Sequence, residues 1–167
     1  VDDSALSGAP FRLESIEAVA KEVVLLLREA GLVGESEQHI QLGGWSYGGV
    51  VALEVARLLE EGEGGGEVVV DLVVLFDSPV RMAGVETEEE EELDVEATMR
   101  GLHADETVVK NAAAHFSKCT ELLRGHVSGA SGGALNCPVV SFRPGEGGGG
   151  RDRHLEKLTK SVWHTLF

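Results

Sequence analysis

Seven residues, Gly43-Gly44-Trp45-Ser46-Tyr47-Gly48-Gly49, follow the apolar run His39-Ile40-Gln41-Leu42. Behind them the apolar residues Val50, Leu53, Ala56 and Leu59 recur at helical offsets up to Gly62. Glycine crowding on both sides of one serine means that the backbone bends hard there and passes close to itself. Few folds put a strand, a tight turn and a helix in that order within so short a stretch.

The surrounding chain fits one of them. Ile16, Val19, Ala20, Val23, Val24 and Leu27 are spaced as the apolar face of a helix, with Gly31 as its stop. Glu67–Asp77 is β-branched and almost continuously apolar, as in a strand covered on both faces. A third strand is expected near residues 138–143. Helices alternating with strands of this type predict an α/β fold with a parallel sheet, flanking helices and right-handed crossovers. Between the second and third strands the alternation stops. An acidic run, Gly84–Asp94, reads as a solvated linker, and residues 95–126 read as two or three helices with no strand among them. Residues 84–130 are therefore expected to form a helical lid inside one domain spanning 1–167. The end, His154–Phe167, reads as a short helix or an irregular segment.

Charge and cysteine content remove some functions. The 167 residues carry a formal net charge of −15. Such a surface repels nucleic acid and anionic membranes. No apolar run is long enough to predict a membrane span. Cys119 and Cys137 lack metal-ligand spacing and read as two reduced, buried thiols of a cytoplasmic protein. No metal is expected.

Gly44-Trp45-Ser46-Tyr47-Gly48 matches Gly-x-Ser-x-Gly, the elbow that lifts a nucleophilic serine above the carboxyl end of a sheet. The helix start behind it supplies free N–H groups, and the Tyr47 N–H is placed to donate to an oxyanion. Two other readings are an idle serine in a structural turn and a phosphate loop. The latter wants a lysine at the helix start, and none is there. A serine nucleophile needs a base, and the base an orienting acid. Asp77 ends the next strand and would share the rim of the sheet with Ser46. The plainer reading of Asp77 is the cap of a turn made with Ser78 and Pro79.

The stretch from Leu42 to Leu59, followed by Val73-Val74-Leu75-Phe76-Asp77-Ser78-Pro79, resembles the type I thioesterase domains that end polyketide, nonribosomal peptide and fatty acid synthases. The resemblance runs from about Leu13 to Trp163 and implies an α/β-hydrolase fold. It implies that Ser46 accepts the acyl group, that Asp77 orients a histidine, and that the helices after Asp77 cover an acyl channel. It also implies no bound cofactor. The substrate would be an acyl chain on the phosphopantetheine arm of a carrier protein, fused in the same polypeptide, since two acidic domains gain little from long-range attraction.

The resemblance implies a histidine in a Gly-Asp-His-like turn after one further strand. No internal histidine fits that place well. His39 enters the elbow strand at its wrong end, His103, His115 and His126 accompany the lid helices, and His154 follows a glycine loop. His164 comes late enough but lacks the Gly-Asp and a leading strand. The family's earlier strands, which supply the second oxyanion donor, have no counterpart before Leu13. The chain is thus expected to be a piece of such a domain, incomplete at both ends, with an unpaired sheet edge. A carboxylesterase or lipase on the same fold, and a non-catalytic hydrolase-like binding module, remain open beside the thioesterase.

Overall fold

The computed structural model describes residues 12–34, 37–63, 65, 67–81, 95–101, 105–128, 134–142 and 164–166. Its elements in chain order are α1 (Ile16–Glu29), β1 (Gln38–Trp45), α2 (Tyr47–Glu60), β2 (Val68–Phe76), α3 (Val95–Gly101), α4 (Glu106–Gly125), β3 (Val139–Phe142) and β4 (His164–Leu166). The strands form one sheet in the order β1-β2-β3-β4. Every neighbouring pair is parallel. The expected three parallel strands are therefore present and adjacent.

β4 corrects the reading of the chain's end. His164–Leu166 is a strand, paired with Val140–Phe142, rather than a helix or an irregular segment. Three residues are too few to show a period, and His-Thr-Leu has no apolar run to betray it.

α1 begins where Ser15 accepts the Ala18 N–H at 3.1 Å, and it ends before Gly31, whose φ of 68° lies in the left-handed region. Its apolar stripe packs on α2. α2 is buried almost all round, with Val50, Val55, Ala56 and Leu58 nearly inaccessible, because β1, β2, α1 and α4 all lie against it. Its carboxyl end is fastened by Glu60. That carboxylate accepts from the Asn136 N–H at 2.9 Å, the Asn136 side-chain amide at 3.0 Å and the Cys137 N–H at 3.2 Å. The contact holds the loop that feeds β3. Glu60→Ala is expected to cost about 2 kcal/mol, since it leaves those N–H groups without their acceptor; the shift of a urea unfolding curve measures it.

β2 is not covered equally on its two faces among the described residues. Val70, Val73 and Leu75 are buried, whereas Phe76 is 45% exposed. The uneven spacing of 70, 73 and 75 has a local cause. Asp71 is an extra residue in β2 opposite the Ile40/Gln41 step, and this bulge shifts the alternation by one. Asp71 faces out and takes a hydrogen bond from His39 Nδ1 at 2.9 Å. The uneven cover has a topological cause. Strands added in one direction by right-handed crossovers place every connecting helix on the same side of the sheet. On the other side Trp45, Phe76 and Phe142 form a row across three strands; Trp45 is 71% exposed, and the Phe76 and Phe142 rings stack at 5.1 Å. β1 is an edge of this sheet.

Candidate active site

The three longer strands finish in one row. Trp45 pairs with Phe76, and Phe76 with Phe142. The ladder continues one step beyond: the Ser46 N–H donates to the Phe76 carbonyl at 2.8 Å and the Asp77 N–H to the Phe142 carbonyl at 2.7 Å. Ser46 and Asp77 thus stand side by side at the carboxyl rim, on adjacent strands.

Both leave the strands through strained backbone. Ser46 has φ 50° and ψ −123°, and Asp77 has φ 47°. They are the two non-glycine residues with positive φ among those described. Such conformations cost of order 1–3 kcal/mol each and persist only where the surroundings enforce them. Around Ser46 the glycines do so. A Cβ on Gly44 would lie 2.2 Å from the Gly48 carbonyl, and one on Gly49 would lie 1.9 Å from Ser78 Oγ. A Cβ on Gly48 would meet nothing within 4 Å. The motif glycines are therefore needed unequally. Gly44 must be bare, Gly48 only brings its backbone near, and the tight position after the serine is Gly49. The packing of Ser78 over Gly49 is what sequence reasoning missed, since Ser78 was read there only as part of a turn after Asp77.

Ser46 occupies the N-cap position of α2, yet its hydroxyl makes no capping bond. The contrast within the molecule is direct. Ser15 caps α1 at 3.1 Å and Asp105 caps α4 at 2.8 Å through their side chains. Ser46, at the same position of its own helix, does not use its hydroxyl in this way. Tyr47 begins α2, and its N–H belongs to the first turn, where donors have no intrahelical acceptor. Burial pushes the Tyr47 phenol above its ordinary range, and the Cys119 thiol of α4 adds to this. The helical insertion therefore reaches the residue that follows Ser46. Burial also pushes the Cys119 thiol up to about 11 and the Cys137 thiol up to about 12, which suits the expected inert, reduced cysteines.

Two of the described histidines engage other carboxylates. His39 Nδ1 bonds Asp71 at the amino half of β1. His115 lies in α4. His126 is buried behind α4 and its Nδ1 bonds Glu17 Oε1 at 2.9 Å. His164 pairs with Val140, two residues short of the rim row. It is the first residue of β4, so among the described residues no strand leads to it. His103 and His154 lie outside the described residues, as do parts of the 84–130 insertion. Among the described residues no group of three His, Cys, Asp or Glu side chains could hold a metal ion, and no helix is long and apolar enough to cross a membrane.

The Glu17–His126 contact joins α1 to the end of α4 and makes a pH prediction. Burial pushes the Glu17 carboxyl up, but hydrogen bonds from its own backbone N–H, Ser15 and His126 outweigh this and hold it below the usual glutamate value of 4.5. A carboxyl held low in the folded chain stabilises above its unfolded value, and that stability is lost as pH falls through the folded value. Unfolding curves below pH 4.5 should therefore show stability falling with acid, and Glu17→Gln should flatten the slope.

A model of the thioesterase domain family matches residues 7–128. The chain belongs to that family. A probable thioesterase, lcsE of Purpureocillium lilacinum, is 36% identical over 70 residues, covering 41% of this chain and 21% of that protein. The chain thus spans about a fifth of that curated relative. Among solved structures, the NocB thioesterase domain in covalent complex with a fluorophosphonate nocardicin G analogue is 22% identical, with a TM-score of 0.62 over 99% of this chain and 70% of that one. ClbQ, from the colibactin nonribosomal peptide/polyketide pathway, is 14% identical, with a TM-score of 0.64 over 96% and 69%. A four-domain nonribosomal peptide synthetase, AB3403, matches over 92% of this chain and 14% of its own. These likenesses establish the fold: a parallel sheet with flanking helices and a helical insertion, of the α/β-hydrolase type.

Proposed function

We propose that the thioesterase domain to which this chain belongs releases an acyl group from a carrier protein through an ester on Ser46. The observation that carries the reading is the uncapped Ser46 hydroxyl on strained backbone, flush with Asp77 at the rim. Ser46 Oγ attacks the thioester carbonyl and gives its proton to a base. The tetrahedral oxyanion is held by the Tyr47 N–H and a second donor from elsewhere in the domain. The C–S bond breaks, and the thiolate of the phosphopantetheine arm takes the proton. Water or another nucleophile then attacks the Ser46 ester, loses its proton to the same base and frees Ser46.

Asp77 orients that base, an imidazole. His39 and His126 engage other carboxylates, so the imidazole is another one. Leu166 pairs with Phe142 in the rim row, so β4 ends at the same rim as Asp77, with β3 between them. The carrier protein belongs to the same polypeptide, and the assembly works in the cytoplasm without a bound cofactor.

The test is alkyl fluorophosphonate labelling of the chain extended by its natural flanking sequence, followed by peptide mass spectrometry. The modification is expected on Ser46, and Ser46→Ala should remove it. Labelling that persists in Ser46→Ala would contradict the assignment.

A further inference from the structure

The bulge in β2 decides which residues meet at the rim. β1 has eight residues and β2 nine, yet the two strands are paired at both ends, Gln38 with Val68 and Trp45 with Phe76. Asp71 is the residue in excess. Regular pairing from Gln38 and Val68 onward would bring Trp45 to Leu75 and Ser46 to Phe76. With Asp71 set aside in the bulge, Ser46 comes level with Asp77 instead, as the bond from the Ser46 N–H to the Phe76 carbonyl records. Leu72–Phe76 is apolar at every residue, so hydrophobic alternation does not choose between these two registers.

Charge is concentrated where the register breaks. His39 stands on β1 just before the Ile40/Gln41 step and reaches diagonally to the extra residue. Its Nδ1 lies 2.9 Å from Asp71 Oδ1, and its Nε2 lies 3.6 Å from Glu37 Oε1. A neutral imidazole has one N–H, whereas the imidazolium presents a proton to both carboxylates. Asp71 of β2 and Glu37, just before β1, are its ion-pair partners among the described residues. α2 covers the opposite face of β1, where Ile40 and Leu42 pack on the core.

We propose that His39 is a positioning residue operated by its proton: as an imidazolium between Asp71 and Glu37 it fastens the bulge, and through the bulge it holds Ser46 level with Asp77. The value of that alignment for catalysis rests on the acyl-release reading above.

The sign of the pH dependence follows from the partners. The hydrogen bond to Asp71, and then the Asp71 charge, hold His39 above the ordinary imidazole value of 6.5, with a smaller contribution from Glu37. A group raised in the folded chain contributes its stability fully below its unfolded value, and that stability is lost as pH rises through the folded value. The clamp is therefore closed below 6.5 and opens as the pH climbs past it. Glu17 acts in the opposite direction, at the acid end.

The experiment follows this chain and its His39→Gln, His39→Lys and Asp71→Asn variants through the imidazole titration. Two signals are read: the nitrogen shifts of the His39 ring, and exchange of the Ser46 backbone amide in D2O, corrected for its intrinsic dependence on pH. His39 should titrate above 6.5, and Asp71→Asn should lower its midpoint. Protection of the Ser46 amide should fall about threefold as His39 loses its proton, the size expected of an exposed ion pair. His39→Gln should exchange at the faster rate throughout. His39→Lys, which keeps the cation, should hold the slower rate with no step in this range. Ser46 protection that stays constant through the His39 titration would overturn the proposal, as would a His39 midpoint unmoved by Asp71→Asn or a His39→Lys form that exchanges like His39→Gln. Alkyl fluorophosphonate labelling of the chain extended by its natural flanking sequence separates the two readings. Labelled Ser46 without the step leaves acyl release standing and removes the clamp. Unlabelled Ser46 with the step overturns acyl release and leaves the clamp.

Discussion

Gly44→Ala is expected to destabilise the chain by about 3 kcal/mol or more, whereas Gly48→Ala should be neutral or stabilising by up to about 1 kcal/mol. The two glycines sit symmetrically about Ser46 in the motif, yet their surroundings differ. The Gly44 Cβ would land 2.2 Å from backbone atoms of Gly48, and backbone cannot rotate away as a side chain can. The Gly48 Cβ would enter open space within α2, where alanine is the better helix former. Gly49→Ala should behave like Gly44→Ala, because its Cβ would overlap Ser78 Oγ. Urea unfolding of the three variants, with fluorophosphonate labelling of each in a form extended by the natural flanking sequence, separates the fold of the elbow from the reactivity of Ser46.

The elbow shows which parts of this molecule could be read from sequence. Strand, turn and helix were legible from Ile40 to Leu59 because their determinants are local: apolar spacing, glycine and a stop at Gly62. The parallel, adjacent arrangement of β1, β2 and β3 followed from the crossovers. Other features depend on contacts that sequence spacing does not encode. Ser78 filling the space over Gly49, and Glu17 meeting His126 at a separation of 109 residues, arise from packing of whole elements. The bulge at Asp71 interrupts an apolar run that looks uniform, and so the one-sided cover of β2 was hidden. β4 is too short to announce itself, and with it went the place of His164. Ser46 and Asp77 could be placed on one rim from sequence because each directly follows a strand. The imidazole between them could not be placed, since no histidine follows such a signature.

Strain at Ser46 separates stability from activity. Its φ of 50° is one that glycine adopts without penalty, so Ser46→Gly should stabilise the chain by about 1 kcal/mol or more while removing all acyl transfer. Stabilisation together with loss of labelling is the signature of a residue kept for its chemistry. A Ser46→Gly variant less stable than the parent would show that the serine serves the fold.

The most direct measurement is the release of free thiol from an acyl-pantetheine substrate. It compares this chain, a form extended by its natural flanking sequence, and the extended form with Ser46→Ala. We expect this chain to show little or no turnover, since a serine hydroxyl is a weak nucleophile near neutral pH unless a base is positioned beside it. The extended form should turn over, and Ser46→Ala should lower its rate by about 10⁴-fold or more. Full turnover in Ser46→Ala, or turnover by this chain that disappears in His164→Ala, would contradict the account.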